Sequence, residues 1–412
     1  MKIDRKTKLH ELITHEKLSK VEFKCLWELV DFDKRFNGVE KYKQTNILKF
    51  NNLSAKKLQE YTVNNKEGSV RLLSTGKYDG FTTYNKNDKN INFGEVISIP
   101  TGGTVTLKYH NGYFVNSLNI LMSSKSKNNL NLKYLFYFLL NNINLIEDNF
   151  RGSSIKHPNM KEILNFKIPV PPIEIQNEIV NILDKFTELT AELTAELTAR
   201  QKQYEYYRNK LLDFSNNKNL LEKLMNSNNK KIEYKKIKDI CEIKRGERIT
   251  KNQLLESGDK KLYSVISGGI NPMGYIDKYN RNENIVTISQ YGTAGYINYQ
   301  TEKFWSNDVV YSLYTKENVI NKYLFYVLKN MQEHIYDLVI KEAVPHYLPL
   351  EFLNPIVIPI PSLEVQQKIV NILDKLETYS KDIKTGLPLE IEQRQKQYEY
   401  YRDKLLTFNK SN

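Results

Sequence analysis

Two stretches of the chain place apolar residues at the alternating four-three spacing of a helix seam. In the first these are Ile175, Ile179, Ile182, Phe186, Leu189 and Leu193; in the second, Val365, Ile369, Ile372, Leu376, Tyr379 and Ile383. Prolines at the entry Pro-Val-Pro-Pro-Ile-Glu, with an acidic residue near the positive helix end, predict a helix starting near Pro172. If it runs to Leu212 it spans roughly 60 Å at about 1.5 Å per residue. The second stretch contains Gly386 and Pro388, which predict a kink or break. Outside these helices the pattern changes to short β-rich runs, such as Glu95-Val-Ile-Ser-Ile99 and Asn284-Ile-Val-Thr-Ile-Ser289, set among Gly-punctuated loops. The expected class is α+β.

The two halves repeat each other at a period of about 190 residues. Ile168-Pro-Val-Pro-Pro-Ile-Glu-Ile-Gln176 returns as Ile358-Pro-Ile-Pro-Ser-Leu-Glu-Val-Gln366, and residues 179 to 185 return unchanged as 369 to 375. Arg200-Gln-Lys-Gln-Tyr-Glu-Tyr-Tyr-Arg208 returns as 394 to 402. Upstream, Val21-Glu-Phe-Lys24 matches Ile232-Glu-Tyr-Lys235, and Lys133-Tyr-Leu-Phe-Tyr137 matches Lys322-Tyr-Leu-Phe-Tyr326, with His157 and His346 in register. The expected organisation is a globule over 1–167, a helix over 168–214, a second globule over 215–357 and a second helix over 358–412. Each seam is expected to pack against the other copy's seam, antiparallel, giving a pseudo-twofold molecule. Helices kept nearly identical beside divergent globules suit two related but non-identical recognition events.

Between its matched segments the first helix carries Thr190-Ala-Glu-Leu193 and Thr194-Ala-Glu-Leu197, with Thr198-Ala199 starting another copy. One tetrapeptide lengthens a helix by roughly 6 Å, close to two base-pair steps of about 3.4 Å. Four-residue repeats are also plain helix filler, so the ruler reading stands beside a bland one.

Composition narrows the function. A chain of 412 residues has material for two to four domains. Its longest apolar run, Tyr134 to Leu140, is too short for a membrane span, and the charged start lacks a signal-peptide core, so a soluble intracellular protein is expected. Cys25 and Cys241 support neither a disulfide framework nor a zinc site. The net charge of +13 is unevenly spread: +11 over 1–167 and +4 over 215–359, against −3 over 168–214 and 0 over 360–409. Basic globules on acidic or neutral helices make the globules the candidate polyanion surface.

Polar, aromatic and Gly-rich loops differ most between copies: Ser74 to Gly80 against Ser267 to Gly274, and Pro100 to Thr104 against Gln290 to Thr293. Such groups suit phosphates and base edges, although Gly, Asn and Ser occupy ordinary turns as well. Candidate DNA-contacting residues are Lys77, Tyr78, Thr101, Thr104, Arg151, Ser153, Ser154, Lys156 and His157 in the first globule. In the second they are Ser267, Asn271, Gln290, Tyr291, Thr293, His346 and Tyr347. The repeated histidine serves equally well as a structural hydrogen-bonder.

Enzyme motifs are missing. Ser74-Thr-Gly-Lys-Tyr78 lacks the first glycine and the hydroxyl of a phosphate loop, and Asn354-Pro-Ile-Val357 lacks the second proline and aromatic of an amino-methylation motif. Glu22-Phe-Lys24 and Glu233-Tyr-Lys235 echo the end of a nuclease metal site without its Pro-Asp partner. No catalytic, cofactor-binding or metal-ligating residue is expected.

At the Ile-Pro-x-Pro-x-x-Glu-x-Gln entries, the Ile-Val-Asn-Ile-Leu-Asp-Lys pair and the Thr-Ala-Glu-Leu tract, the chain resembles the specificity subunit of a type I restriction-modification enzyme. The resemblance covers essentially the whole chain. It implies two target recognition domains reading the halves of a split DNA site, separated by two long antiparallel helices. It also implies two methyltransferase subunits that bring S-adenosylmethionine, and restriction subunits that bring ATP and Mg²⁺. The sequence departs from the pattern at Glu-Ile-Gln176 and Glu-Val-Gln366, where many members have Glu-Glu-Gln, and Gly152-Ser153 has no clear counterpart before His346. A coiled-coil scaffold whose basic globules bind protein or RNA is the alternative reading.

Overall fold

The computed structural model describes residues 21–61, 68–76, 79–214, 216, 232–255, 261–381 and 386–408. It divides into two compact units that each draw on distant parts of the chain. The first is Met1–Glu192 with Glu392–Asn412, and the second is Leu193–Ile391.

In the first unit, β1 (Glu22–Cys25) is the strand that the Val-Glu-Phe-Lys match foreshadows. The strands that follow are β2 (Val30–Phe32), β3 (Asn52–Leu53), β4 (Val70–Leu73), β5 (Gly80–Thr82), β6 (Asn92–Pro100), β7 (Lys108–Ser117) and β8 (Asn119–Ser124). They form a seven-stranded sheet of order β2-β8-β6-β7-β4-β5, with β3 also paired to β7. Helix α1 (Leu132–Asn141) begins at Asn131, whose side chain accepts from the Lys133 and Tyr134 amides. A two-stranded hairpin, β9 (Phe150–Arg151) and β10 (His157–Pro158), precedes β11 (Lys167–Val170), which pairs antiparallel with β1. The 40-residue helix α2 (Ile173–Leu212) then starts in this unit, at the predicted entry, and ends in the other.

The second unit repeats this frame with a different sheet. β12 (Glu233–Lys236) pairs with β20 (Val357–Ile360) as β1 pairs with β11. Between them, β13 (Cys241–Arg245), β16 (Ile285–Ser289), β17 (Ile297–Gln300) and β19 (Val310–Thr315) form one sheet, in the order β13-β19-β16-β17. A second sheet of order β15-β14-β18 is built from β14 (Tyr263–Ile266), β15 (Gly274–Ile276) and β18 (Phe304–Ser306). Helix α3 (Asn321–Asn330) corresponds to α1, and α4 (Leu363–Lys381) corresponds to the start of α2. Helix α5 (Leu387–Leu406) opens afresh at Gly386, whose carbonyl accepts from the Leu389 and Glu390 amides. The expected break therefore occurs, while Ile383 lies outside the described residues.

Core packing corrects the expected seam partners. Ile179, Val180 and Leu183 of α2 are buried in a cluster with Leu405 and Leu406 of α5 and the first globule. Phe186 stacks on Tyr401 at 5.5 Å. In the other unit Val365, Ile369 and Leu373 of α4 share a core with Tyr204, Leu211 and Leu212 of α2. The seam of each copy thus meets the tail of the other copy, not its seam. This follows from antiparallel pairing of long helices, which brings the start of one beside the end of the other.

The repeated motifs turn out to be the joints between globule and helix. Gln176, fully buried, accepts from the Asn131 amide at 2.9 Å and donates to the Asn129 and Pro171 carbonyls at 2.9 and 2.8 Å. Gln366 repeats the pattern with Ile320, Asn318 and Pro361 at 2.9, 3.0 and 2.9 Å. Tyr134 donates to the Pro169 carbonyl and Tyr323 to that of Pro359. Lys133 and Tyr137 meet Asp184 at 2.7 and 2.6 Å, just as Lys322 and Tyr326 meet Asp374. Burial and the adjoining carboxylates push the Tyr137 and Tyr326 hydroxyls far above their ordinary range, so both remain donors. The Glu-x-Lys strings have a plain structural role as pairing strands, with Glu22–Lys24 and Glu233–Lys235 ion pairs at 3.2 and 2.6 Å.

Candidate nucleic-acid interface

In the first unit the divergent Pro100 to Thr104 loop is brought against the Arg151 to His157 segment, whose His157 is in register with His346. The connection from β6 to β7 holds Thr101 and Thr104, and the β9–β10 hairpin holds Arg151 to His157. The Gly103 amide donates to the Lys156 carbonyl at 2.9 Å, and His157 Nδ1 donates to the Thr101 carbonyl at 2.7 Å. A Cβ on Gly102 would stand 2.9 Å from the His157 ring, so only glycine allows the ring to lie against the loop. Gly152, at φ +145°, makes a similarly close approach, a Cβ there meeting the Ile155 carbonyl at 2.4 Å. Thr104, Arg151, Ser153, Ser154 and Lys156 are exposed around this junction. His157 is exposed but also serves as the staple between the loops, while Thr101 is half-buried, its hydroxyl donating to the Leu118 carbonyl at 2.8 Å. Lys77 and Tyr78 lie outside the described residues.

In the second unit three of the singled-out segments converge. The Thr293 amide donates to the Gly268 carbonyl at 2.7 Å, and the Leu348 amide to the Gln290 carbonyl at 2.9 Å. Gly268 and Gly292 touch backbone to backbone: a Cβ on Gly292, whose φ is +76°, would fall 2.5 Å from the Gly268 oxygen. Tyr291 stacks on Tyr347 with ring centroids 5.8 Å apart, and Tyr347 exchanges backbone hydrogen bonds with Ile340. The half-buried Ser267 is held by Asn307, whose Nδ2 donates to its hydroxyl at 3.3 Å. Asn271 and His346 are exposed and Thr293 is half-buried. Gln290, only 9% exposed, lies beneath the loops with its Oε1 unmatched by a donor. The cross-loop link that His157 makes in the first unit is carried here by Tyr347, so the repeated histidine does not mark one shared role.

The structure adds surfaces that the sequence pattern did not reveal. Flanking the strands of the β15-β14-β18 sheet, Lys278 lies 4.8 Å from the Trp305 ring, Lys303 4.6 Å from Tyr279 and Lys261 5.6 Å from Tyr263. The Tyr279 hydroxyl beside Lys303 pushes its ammonium above the usual range, keeping it cationic. Cations interleaved with rings suit phosphates and bases alike. The sheet leads directly into the Ser267 loop, since β14 ends at Ile266 and β15 starts at Gly274. In the first unit Tyr84, Phe93 and Tyr113 form an exposed aromatic group with centroids 4.5 and 4.8 Å apart. Apart from Lys261 and Tyr263, the signal missed was tertiary, because the partners are distant in sequence. A cleft beside α1 and α2 offers no net charge to a polyanion: Arg71, Lys108 and Lys133 face Asp79, Asp184 and Glu188.

Among the described residues no three His, Cys, Asp or Glu side chains gather as a metal site, and no helix is long and apolar enough to cross a membrane. Burial pushes the Cys241 thiol up to about 12, the value of an inert core cysteine.

The family model described as the type I restriction modification DNA specificity domain matches twice, at residues 36–200 and 229–393. A Haemophilus influenzae protein named as a type I restriction enzyme specificity subunit is 34% identical over 343 residues, covering 77% of this chain and 83% of its own. An Escherichia coli type I restriction enzyme specificity subunit is 30% identical over 316 residues, covering 70% and 74%. The crystal structure of a type I restriction-modification system S subunit from M. genitalium shares the fold at a TM-score of 0.68 and 19% identity, covering 95% of this chain and 97% of the other.

Proposed function

Because the chain belongs to the type I restriction modification DNA specificity family, we propose that it reads the two halves of a split DNA site and directs methylation and restriction by partner subunits. The observation that carries this is the convergence of candidate DNA-contacting loops in each globule: Thr101 to Thr104 with Arg151 to His157 in one, Ser267 to Gly274 with Gln290 to Thr293 and Tyr347 in the other. Two reading surfaces on a common frame match a site with two different halves. Residues 1–167 and 215–357 serve as the recognition domains, and 168–214 and 358–412 as the spacer helices. Lys261, Lys278 and Lys303 join the DNA contacts as phosphate partners.

The chain itself carries no catalytic group in this reading. Two methyltransferase subunits supply S-adenosylmethionine and methylate adenine in each half-site; restriction subunits supply ATP hydrolysis, Mg²⁺ and cleavage. The complex works on cytoplasmic DNA. The scaffold alternative predicts no preference among duplex sequences, and the concentration of positive charge on the globules favours the DNA reading. Co-expression with the methyltransferase subunit, followed by mapping of methylated adenines across a sequenced genome, tests it. A single split motif is expected; soluble complex with no motif would favour the scaffold.

A further inference from the structure

An aliphatic side chain left in water forgoes the free energy of burial, and in this chain the most exposed ones are not scattered. Among the described residues the most exposed of the leucines, isoleucines and valines are Val344 at 96%, Ile155 at 60% and Ile270 at 59%, followed by Leu145 at 49%. The first three all lie on loops of the candidate nucleic-acid interface: Ile155 in the β9–β10 hairpin, Val344 between Ile340 and Tyr347, and Ile270 in the Ser267 loop. Ile155 and Val344 also correspond, each two residues before the registered histidine, His157 or His346.

Both are held out by the backbone around them. The Ile155 carbonyl packs on Gly152, where a Cβ would fall 2.4 Å away, and its Cγ2 would stand 3.2 Å from a Cβ on Gly102. His157 and Lys156 tie this hairpin to the Thr101 loop, so Ile155 is braced on one side and bare on the other. In the second unit Ile340 and Tyr347 close their loop with paired backbone hydrogen bonds, Tyr347 stacks on Tyr291, and Val344 stands in the span between, almost wholly in water. The neighbours differ in charge: Arg151 and Lys156 flank Ile155, whereas Lys341 and Glu342 before Val344 cancel. What the two loops share is therefore apolar, and on duplex DNA apolar ground lies at the bases, not along the phosphates.

We propose that Ile155 and Val344 are equivalent specificity-determining tips, each pressing its methyl groups on the carbon surface of a base in its own half-site. The proposal rests on the function proposed above and adds to the polar candidates a contact that polar patterning does not mark. A half-site presents such a surface in two places: the methyl group of thymine in the major groove, and the face of a base at a step that the side chain pries open. Either makes the contact depend on sequence, the first through the presence of thymine and the second through the ease of unstacking. Ile270, on the loop that the Thr293 amide ties at Gly268, adds apolar surface to the second unit.

The test uses the full chain purified with the methyltransferase subunit, on duplexes carrying the motif that methylation mapping defines. Affinity is read by fluorescence anisotropy over a range of salt, and folding by thermal melting. Ile155→Ser is expected to weaken cognate binding roughly 3- to 10-fold, the size of a small lost apolar contact, with the salt slope unchanged because no phosphate partner is removed. Val344→Ser does the same, while Ile155→Val and Val344→Ile retain wild-type binding. Deoxyuridine in place of each thymidine, and a fluorescent purine analogue at each base step, locate the contact. A thymidine whose methyl matters to wild type but not to the serine variant assigns the tip to a thymine methyl. An analogue that brightens when wild type binds and stays dark with the variant assigns it to an opened step. The positions found for Ile155 and Val344 are expected in opposite half-sites. Serine variants that melt normally and bind the motif as tightly as wild type overturn the proposal. So does an equal loss on cognate and unrelated duplexes, a loss that neither probe places in a half-site, or a loss that follows release of the methyltransferase subunit. A wild-type complex whose methylation shows no motif removes the function proposed above as well.

Discussion

At the scale of single residues, Gln176 and Gln366 couple recognition to the frame. Each is fully buried with every polar atom of its amide matched, and its partners come from the globule, 45 to 48 residues away, and from the helix entry. Leucine at position 176 would fill similar volume but leave the Asn131 amide and two carbonyls without the side chain that meets them. Each buried orphan costs about 1–3 kcal/mol, so Gln176→Leu is expected to destabilise the first unit by roughly 3 kcal/mol or more. Urea unfolding followed by tyrosine and tryptophan fluorescence measures this, and an unchanged midpoint would mean that water takes over the bonds. The Glu-x-Gln pattern was visible in the sequence as a repeated word. Its meaning was not, because a clamp is defined by its partner, and the partner is remote. The same holds for Tyr137 and Asp184, both repeated and both visible, whose hydrogen bond only folding creates.

At the scale of elements, the seam spacing located α2 well because amphipathic periodicity is a local property. It failed to name the packing partner, which depends on where the opposite helix ends. The tetrapeptide tract fits the helix without strain: Thr190 and Thr198 donate back to the carbonyls of Phe186 and Thr194. None of its residues belongs to the main cores, and the division between units falls within it, between Glu192 and Leu193. A four-residue change is about 1.1 turns, so it shifts the helix by roughly 6 Å while turning its faces by only about 40°. Deleting Thr194 to Leu197 is therefore expected to leave both half-sites intact and shorten the preferred spacer by roughly one or two base pairs. Methylation mapping of the deletion variant reads this directly. An unchanged spacer would reduce the tract to helix filler.

At the scale of the whole molecule, the duplication keeps a frame and frees what it carries. The first globule builds one seven-stranded sheet, the second a four-stranded and a three-stranded one, on the same β1–β11 and β12–β20 closures. That difference was not legible from the sequence, because the strands are short and several pair in parallel with remote partners, as β4 does with β7 and β14 with β18. The divergent loops were legible, since glycine and polar residues mark them, and in the second globule the Ser267 and Gln290 loops prove to meet. If each globule reads its own half-site, damage to one junction must stay local. Gly292→Ala puts a Cβ within 2.5 Å of the Gly268 oxygen at φ +76°, forcing apart two loops that bond through Thr293 and Gly268. The strain is about 1–3 kcal/mol, borne at the candidate interface and not in the core. The methylation map of this variant should lose stringency in one half of the motif and keep the other half and the spacer unchanged. Loss of stringency in both halves would mean that the globules read the site jointly, and the equation of one globule with one half-site would then fail.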